Sequence, residues 1–363
     1  MNLAHLSLLS AAWILVELLV LYVEAADKPV PALFIFGDSF VDSGNNNVLE
    51  TLAKANFPPY GGDFDYRRPT GRFANGRLIP DFFASFLGLP FQPPYATAGD
   101  DVLSGVNFAS AGSGLVNSTG YIFGEHIPIP QQVENFRTVK DKLMKLVGVK
   151  SASDIVSKAI YYITVGSNDI SNNYYVLPGT PIQQQYTPAQ FQDLLVSIYS
   201  QQLQALYSLG ARKIVVKGLI PLGCTPVTLL EYDVQPGDCV KYLNEAAKSY
   251  NAAIESLLSQ LRSSLLGVQI VYSKAYDVIY DIIQNPKNYG FTVSNKACCS
   301  GVGKNGAVLF CLQNVPYCKN PREYVYWDEF HPSSAIYELL ANRFWSGSQD
   351  YSFPINVKAL AYS

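Results

Sequence analysis

Charge is sparse in this chain and does not cluster by sign. Lys, Arg, Asp and Glu make up 15% of the 363 residues and leave a formal net charge of -3. No run of Lys or Arg is long enough to follow a phosphate backbone, which excludes nucleic acid as a partner. Internal repeats and long linkers are absent too, which favours one large domain over two. The cysteines include no CxxC pair and have a single histidine near them, which argues against zinc. Histidine itself is scarce, with only His5, His126 and His331 in the whole sequence.

Apolar residues, at 48%, are plentiful enough for a buried core and exclude a disordered chain. A mainly apolar stretch from Leu8 to Val23 precedes the small residues Ala25 and Ala26, the layout of a secretory signal. Glu17 at mid-span and the small-residue exit favour its removal over retention as a membrane anchor. The expected organisation is a leader over residues 1–25 and one domain over 26–363, with no membrane span in the mature part. Six cysteines, Cys224, Cys239, Cys298, Cys299, Cys311 and Cys318, form an even set in a secreted chain and are disulfide candidates. Their connectivity is open at the level of sequence. Asn117-Ser118-Thr119 is a glycosylation sequon set among Gly and Ser residues, as in a surface loop.

Five short apolar runs end in Gly, Asn, Asp, Ser or Pro: "PALFIFGDS" (31–39), "GVNFASAG" (105–112), "AIYYITVGSND" (159–169), "KIVVKGLIPLG" (213–223) and "GVQIVYS" (267–273). Continuous runs of this kind suit strands buried on both faces of a parallel sheet. Between them, 193–210 and 242–265 space leucines for one helical face, and Gly210 stands where a helix would be capped. Alternating strands and helices predict an α/β fold, whose ligands bind beyond the carboxyl ends of the strands. Attention therefore falls on Ser39, Gly112 and Asn168, each at the end of a run.

His5 leaves with the leader, and His126 in "GEHIPIP" has no carboxylate at helical spacing, so His331 is the histidine left as a base. Asp328 stands three residues before it, close enough on a tight turn to orient the imidazole. Pro332 stands where a helix is expected to begin. Taken singly, this pair reads more readily as a surface ion pair capping a helix, and Asp38 with Ser39 reads equally well as a helix cap. Gly37 permits a tight turn out of the first strand, and a helix starting there would aim backbone N–H groups at an oxyanion beside Ser39. Gly112 offers a close backbone N–H and Asn168 two uncharged amide donors. Convergence of all these on strand ends of one sheet points to ester chemistry.

The same residues lie in blocks by which the sequence resembles the GDSL family of the SGNH hydrolases, in particular its plant secreted esterase/lipase branch. Those blocks are "FIFGDSFVDSGNNN", "GVNFASAGSG", "TVGSNDISNNY" and "YVYWDEFHPSS", with "RRPTGRFANGRLIPDFFA", "IPLGCTP" and "ACCSGVGKNG" typical of plant members. The resemblance implies a three-layer α/β/α, flavodoxin-like fold with a central parallel sheet. It implies Ser39 as nucleophile, His331 as general base then acid, and Asp328 as its orienting partner. An oxyanion hole would come from the Ser39 N–H, the Gly112 N–H and the Asn168 side chain, with Gly76, Gly105 and Gly114 as competitors for the glycine role. Phe40 follows Ser39 where the family motif has Leu, and is expected only to pack beneath the site. The expected partner is a lipid, acyl or polysaccharide ester, and the chemistry calls for no cofactor or metal. An acyltransferase with the same triad, or an inactive binding protein, are the alternatives.

Overall fold

The computed structural model describes residues 28–363 apart from 176–178, 233, 236, 301 and 308–309. The leader expected over 1–25 lies outside the described residues. Four of the five apolar runs form parallel strands, β1 (Leu33–Gly37), β2 (Ile160–Thr164), β3 (Lys213–Lys217) and β4 (Gln269–Ser273), in spatial order β1-β2-β3-β4. β1 to β3 are buried almost throughout, which is why their sequences run apolar without alternation.

The remaining run, 105–112, is a correction. It lies parallel to β1, with Ile35 N donating to Val106 O and Phe108 N to Ile35 O, but registers only isolated bridges through Asn107. Leu33 N also donates to Ser104 O and Ser110 N to Gly37 O, but Gly37 N donates to the Gln132 side chain at 2.9 Å and not to this segment, so the ladder is incomplete at that end. Gly105 is required here because a Cβ would stand 1.9 Å from Leu33 O. With this segment beside β1, the order of parallel elements is that of a flavodoxin-like sheet.

Side chains alternate across β2 and so define the layers. Tyr161 packs on Phe136 of helix α2 (Ile129–Lys158), with centroids 5.4 Å apart, while Tyr162 packs on Phe83 of helix α1 (Ile79–Phe86) at 5.6 Å. Helices α3 (Pro188–Leu209) and α4 (Lys241–Ser264) extend the α2 layer, and α3 ends at Gly210 with φ 115°, the left-handed cap its sequence predicts. Helix α5 (Ala275–Gln284) follows β4. On the α1 side lie α6 (Ser334–Ser346) and α7 (Val357–Ala361). A small pair of strands, β5 (Val293–Ala297) and β6 (Tyr324–Tyr326), and an antiparallel edge strand, β7 (Ser352–Phe353), complete the sheets. Among the described residues, no helix is long and apolar enough to cross a membrane.

All six cysteines are paired, as Cys224–Cys239, Cys298–Cys318 and Cys299–Cys311. This supplies the connectivity that the sequence left open.

Candidate active site

β1 delivers Ser39 to the carboxyl edge of the sheet through a turn, not through the helix expected from sequence. Val41 N and Asp42 N both close onto Asp38 O, and the Asp38 carboxylate accepts the Phe40 N–H at 3.0 Å. Gly37 opens that turn at φ 150°, where a Cβ would collide with Thr164 O at 2.3 Å. Gln132 of α2 locks its backbone, accepting from Gly37 N at 2.9 Å and donating to Gly37 O at 2.8 Å.

β6 delivers the other half. Beyond Tyr326 the chain turns tightly, with Trp327 N donating to His331 O, and Asp328 Oδ1 accepting from Phe330 N at 2.9 Å and His331 N at 2.7 Å. Helix α6 begins at Ser334, two residues later than Pro332 suggests, because residues 332–333 are still extended: Pro332 bridges Tyr326 and Ser333 N donates to Val325 O.

These two turns meet across 292 residues of sequence: Ser39 Oγ lies 2.7 Å from His331 Nε2. The other ring nitrogen, Nδ1, sits 2.8 Å and 2.9 Å from the two Asp328 oxygens. All three residues are buried, at 8%, 5% and 1% exposure for Ser39, His331 and Asp328, so the hydrogen bonds operate away from bulk water. A carboxylate at one nitrogen sets the tautomer that leaves the other free to accept a hydroxyl proton. His126, by contrast, is held in its loop by Gly124 O and Asn117 O.

Ser39, Gly112, Asn168, Asp328 and His331 line one cavity of about 750 Å³ at the strand ends. Gly112 has φ 80° and faces open space apart from Phe123 at 3.3 Å from a would-be Cβ. Its sequence competitors face elsewhere: Gly105 abuts β1, Gly114 abuts the Asp169 carboxylate, and Gly76 abuts Ser334. Asn168 accepts from Asn172 Nδ2 at 2.9 Å and gives one amide hydrogen to Ser113 O at 2.9 Å. That orientation leaves the second hydrogen of the same Nδ2 for a ligand.

Phe40 corrects another expectation. It lines the cavity and meets the His331 ring edge-on at 5.4 Å, so it touches the site instead of only underlying it. Ser171 and Asn172, beyond β2, reach the cavity, while Tyr95 packs on Phe108. Asn117 is exposed in a turn, and the Thr119 hydroxyl of its sequon is buried on Asp169 at 2.8 Å.

Several supports escaped the sequence reading. Asp42 and Asn46 accept from Ala111 N, and Asn45 donates to Asn107 O and Ala109 O, tying the Ser39 turn to the Gly112 segment. Asp169 accepts from Leu115 N and Val116 N behind Gly112. Burial pushes Asp38 up to about 6 against the pull of Lys217, and pulls Lys217 itself down to about 8. Burial, then the neighbouring Asp328 charge, pushes Glu329 up to about 8. The "GNNN" tract was the available signal for Asn45 and Asn46, since three amides in a row beyond a strand are more hydrogen-bonding capacity than a turn needs.

The profile of the GDSL-like Lipase/Acylhydrolase family matches residues 33–344. The chain belongs to this family. GDSL esterase/lipase At4g16230 of Arabidopsis thaliana is 41% identical over 341 residues, covering 93% of this chain and 92% of that one. GDSL esterase/lipase At1g29660 of the same plant is 40% identical over 358 residues, covering 96% and 98%. Among solved structures, phospholipase A1 from Streptomyces albidoflavus NA297 covers 85% of this chain and 95% of its own at 13% identity and a TM-score of 0.33. As a GDSL esterase/lipase, this protein is a carboxylic ester hydrolase.

Proposed function

We propose that the protein is a secreted serine esterase/lipase that works through an acyl-enzyme on Ser39. Ser39 Oγ attacks the ester carbonyl while His331 Nε2 takes its proton. His331 then returns the proton to the departing alcohol, and water resolves the acyl-enzyme by the reverse sequence. Asp328 holds the imidazole and stabilises the imidazolium, and the Ser39 N–H, Gly112 N–H and Asn168 Nδ2 receive the oxyanion. The carrying observation is the 2.7 Å contact between Ser39 Oγ and His331 Nε2, with Asp328 on the far nitrogen.

The cavity wall beyond the reacting groups includes Leu222, Val227, Leu230, Phe310 and Leu312, which favours an acyl or lipid ester over an acetylated polysaccharide. Residues 26–363 are read as one hydrolase domain that follows a cleaved leader, with Asn117 as its glycan acceptor. The test compares parent and Ser39→Ala on short and long p-nitrophenyl esters, with a serine-directed phosphonate as covalent probe. Hydrolysis and labelling by the parent alone are expected. Equal hydrolysis by Ser39→Ala overturns the assignment, and a parent that neither labels nor hydrolyses is a binding protein.

A further inference from the structure

Residues 57–74 have no part in the mechanism above, yet one of their side chains reaches the triad. We propose that Tyr60 is a positioning residue for ester hydrolysis, fixing Asp328 through its hydroxyl and dispersing the carboxylate charge that His331 feels. This rests on the triad reading just given.

Tyr60 Oη donates to Asp328 Oδ2 at 2.9 Å, and that same oxygen is 2.9 Å from His331 Nδ1. The other carboxylate oxygen takes the two backbone N–H groups of Phe330 and His331. Asp328 is thus held by its own turn on one oxygen and by Tyr60, 268 residues away, on the other. The tyrosine is itself clamped. Its ring meets Phe57 at 5.5 Å, Phe73 at 6.0 Å and Trp327 at 6.1 Å, while Phe73 also lies 5.2 Å from the His331 ring. Gly61 N donates to Ala74 O at 3.0 Å, pinning the adjacent backbone. Burial and the neighbouring carboxylates hold the Tyr60 phenol well above its ordinary value, so it remains a donor wherever the enzyme works.

A hydrogen bond to the charged form of a carboxylate disperses its charge. Without the Tyr60 donor, Oδ2 presents more charge to Nδ1, favours the imidazolium, and raises the pH at which His331 becomes a free base. The other ionisable groups facing the pair are Asp38 and, beyond it, Lys217 and Asp169, Glu329 beside Asp328, and Tyr337 on α6. They are common to parent and variant, so the difference between the two profiles isolates Tyr60.

The experiment measures kcat/KM against pH on a short ester for the parent, Tyr60→Phe, Asp328→Asn and the double variant, with Ser39→Ala as control. Tyr60→Phe is expected to lose about tenfold in kcat/KM, the size of one charge-assisted hydrogen bond. Its acid limb is expected to move up by about half a pH unit to one unit. In the Asp328→Asn background the same change should cost nothing further, because the carboxylate it acts through is gone. The midpoint of a limb does not depend on how much enzyme is folded, so a fall in Tm does not obscure the result. A limb at the parent pH, or an equal loss on top of Asp328→Asn, overturns the role of Tyr60. An active Ser39→Ala overturns the triad reading instead.

Discussion

Asp42 Oδ2 accepts a hydrogen bond from the Ala111 backbone nitrogen at 3.0 Å, while its Oδ1 accepts from Gly44 N and Asn45 N at 2.7 Å each. This buried carboxylate, with Asn46 Oδ1 on the same Ala111 N at 3.1 Å, ties the turn that carries Ser39 to the segment that carries Gly112. Asp42→Asn places an amide where an acceptor is needed against three N–H groups. We expect kcat/KM on a short ester to fall at least tenfold, with a loss of stability of about 1–3 kcal/mol for the unsatisfied buried donor. Chemical denaturation and steady-state kinetics on the same samples check both, and unchanged kinetics would mean that the Gly112 segment holds its place without this tether.

Asn168 tests the oxyanion assignment. Its amide is oriented by Asn172 and Ser113, so the donor is preorganised before substrate arrives. Asn168→Ala should lower kcat by about 100- to 1000-fold with little change in KM, the pattern of a group that acts on the transition state. A rise in KM at constant kcat would instead make Asn168 a ground-state contact.

That Ser39 and His331 would meet was legible in sequence because two local signals survive without tertiary knowledge: the end of a continuous apolar run, and the exclusion of two other histidines. The 105–112 segment misled because its composition matches a strand, while the β1 group that would complete its ladder, Gly37 N, is bonded to the Gln132 side chain from a distant helix. Asp42, Asn45 and Asn46 look like surface turn residues and are buried. Their function is to satisfy backbone groups of a distant segment, which no local pattern encodes. Tyr60 illustrates the same limit, since its one informative contact lies 268 residues away.

Glu329 predicts a pH dependence of stability. Its folded value, pushed up to about 8 by burial and by Asp328, stands above the ordinary 4.5. The folded state therefore retains a proton that the unfolded chain has already released. The stabilisation is fully present below the unfolded value and is lost as pH rises through the folded one. Tm should decline between about pH 5 and pH 8 and then level off as far as this group is concerned. Glu329→Gln, whose amide oxygen can replace Glu329 Oε2 as acceptor of the Cys311 N–H, should flatten that decline; an unchanged slope assigns it to other groups.

The disulfides carry a prediction about substrate range as well as stability. Cys299–Cys311 closes a 12-residue separation, and Phe310, Cys311 and Leu312 line the cavity, with Phe310 stacked on Phe330 at 6.3 Å. Opening that bridge frees a wall of the site while leaving Ser39, His331 and Asp328 on other turns. Chain entropy alone gives about 3 kcal/mol for a loop near this length, and less where the unfolded chain keeps residual structure. The double substitution Cys299→Ser with Cys311→Ser should lower Tm and reduce turnover of long-chain esters more than that of short ones, because only a long acyl chain needs the Phe310–Leu312 wall. Measuring kcat/KM across a chain-length series at a temperature well below both Tm values separates the two effects. A uniform loss at every chain length would show that the bridge supports the reacting groups themselves.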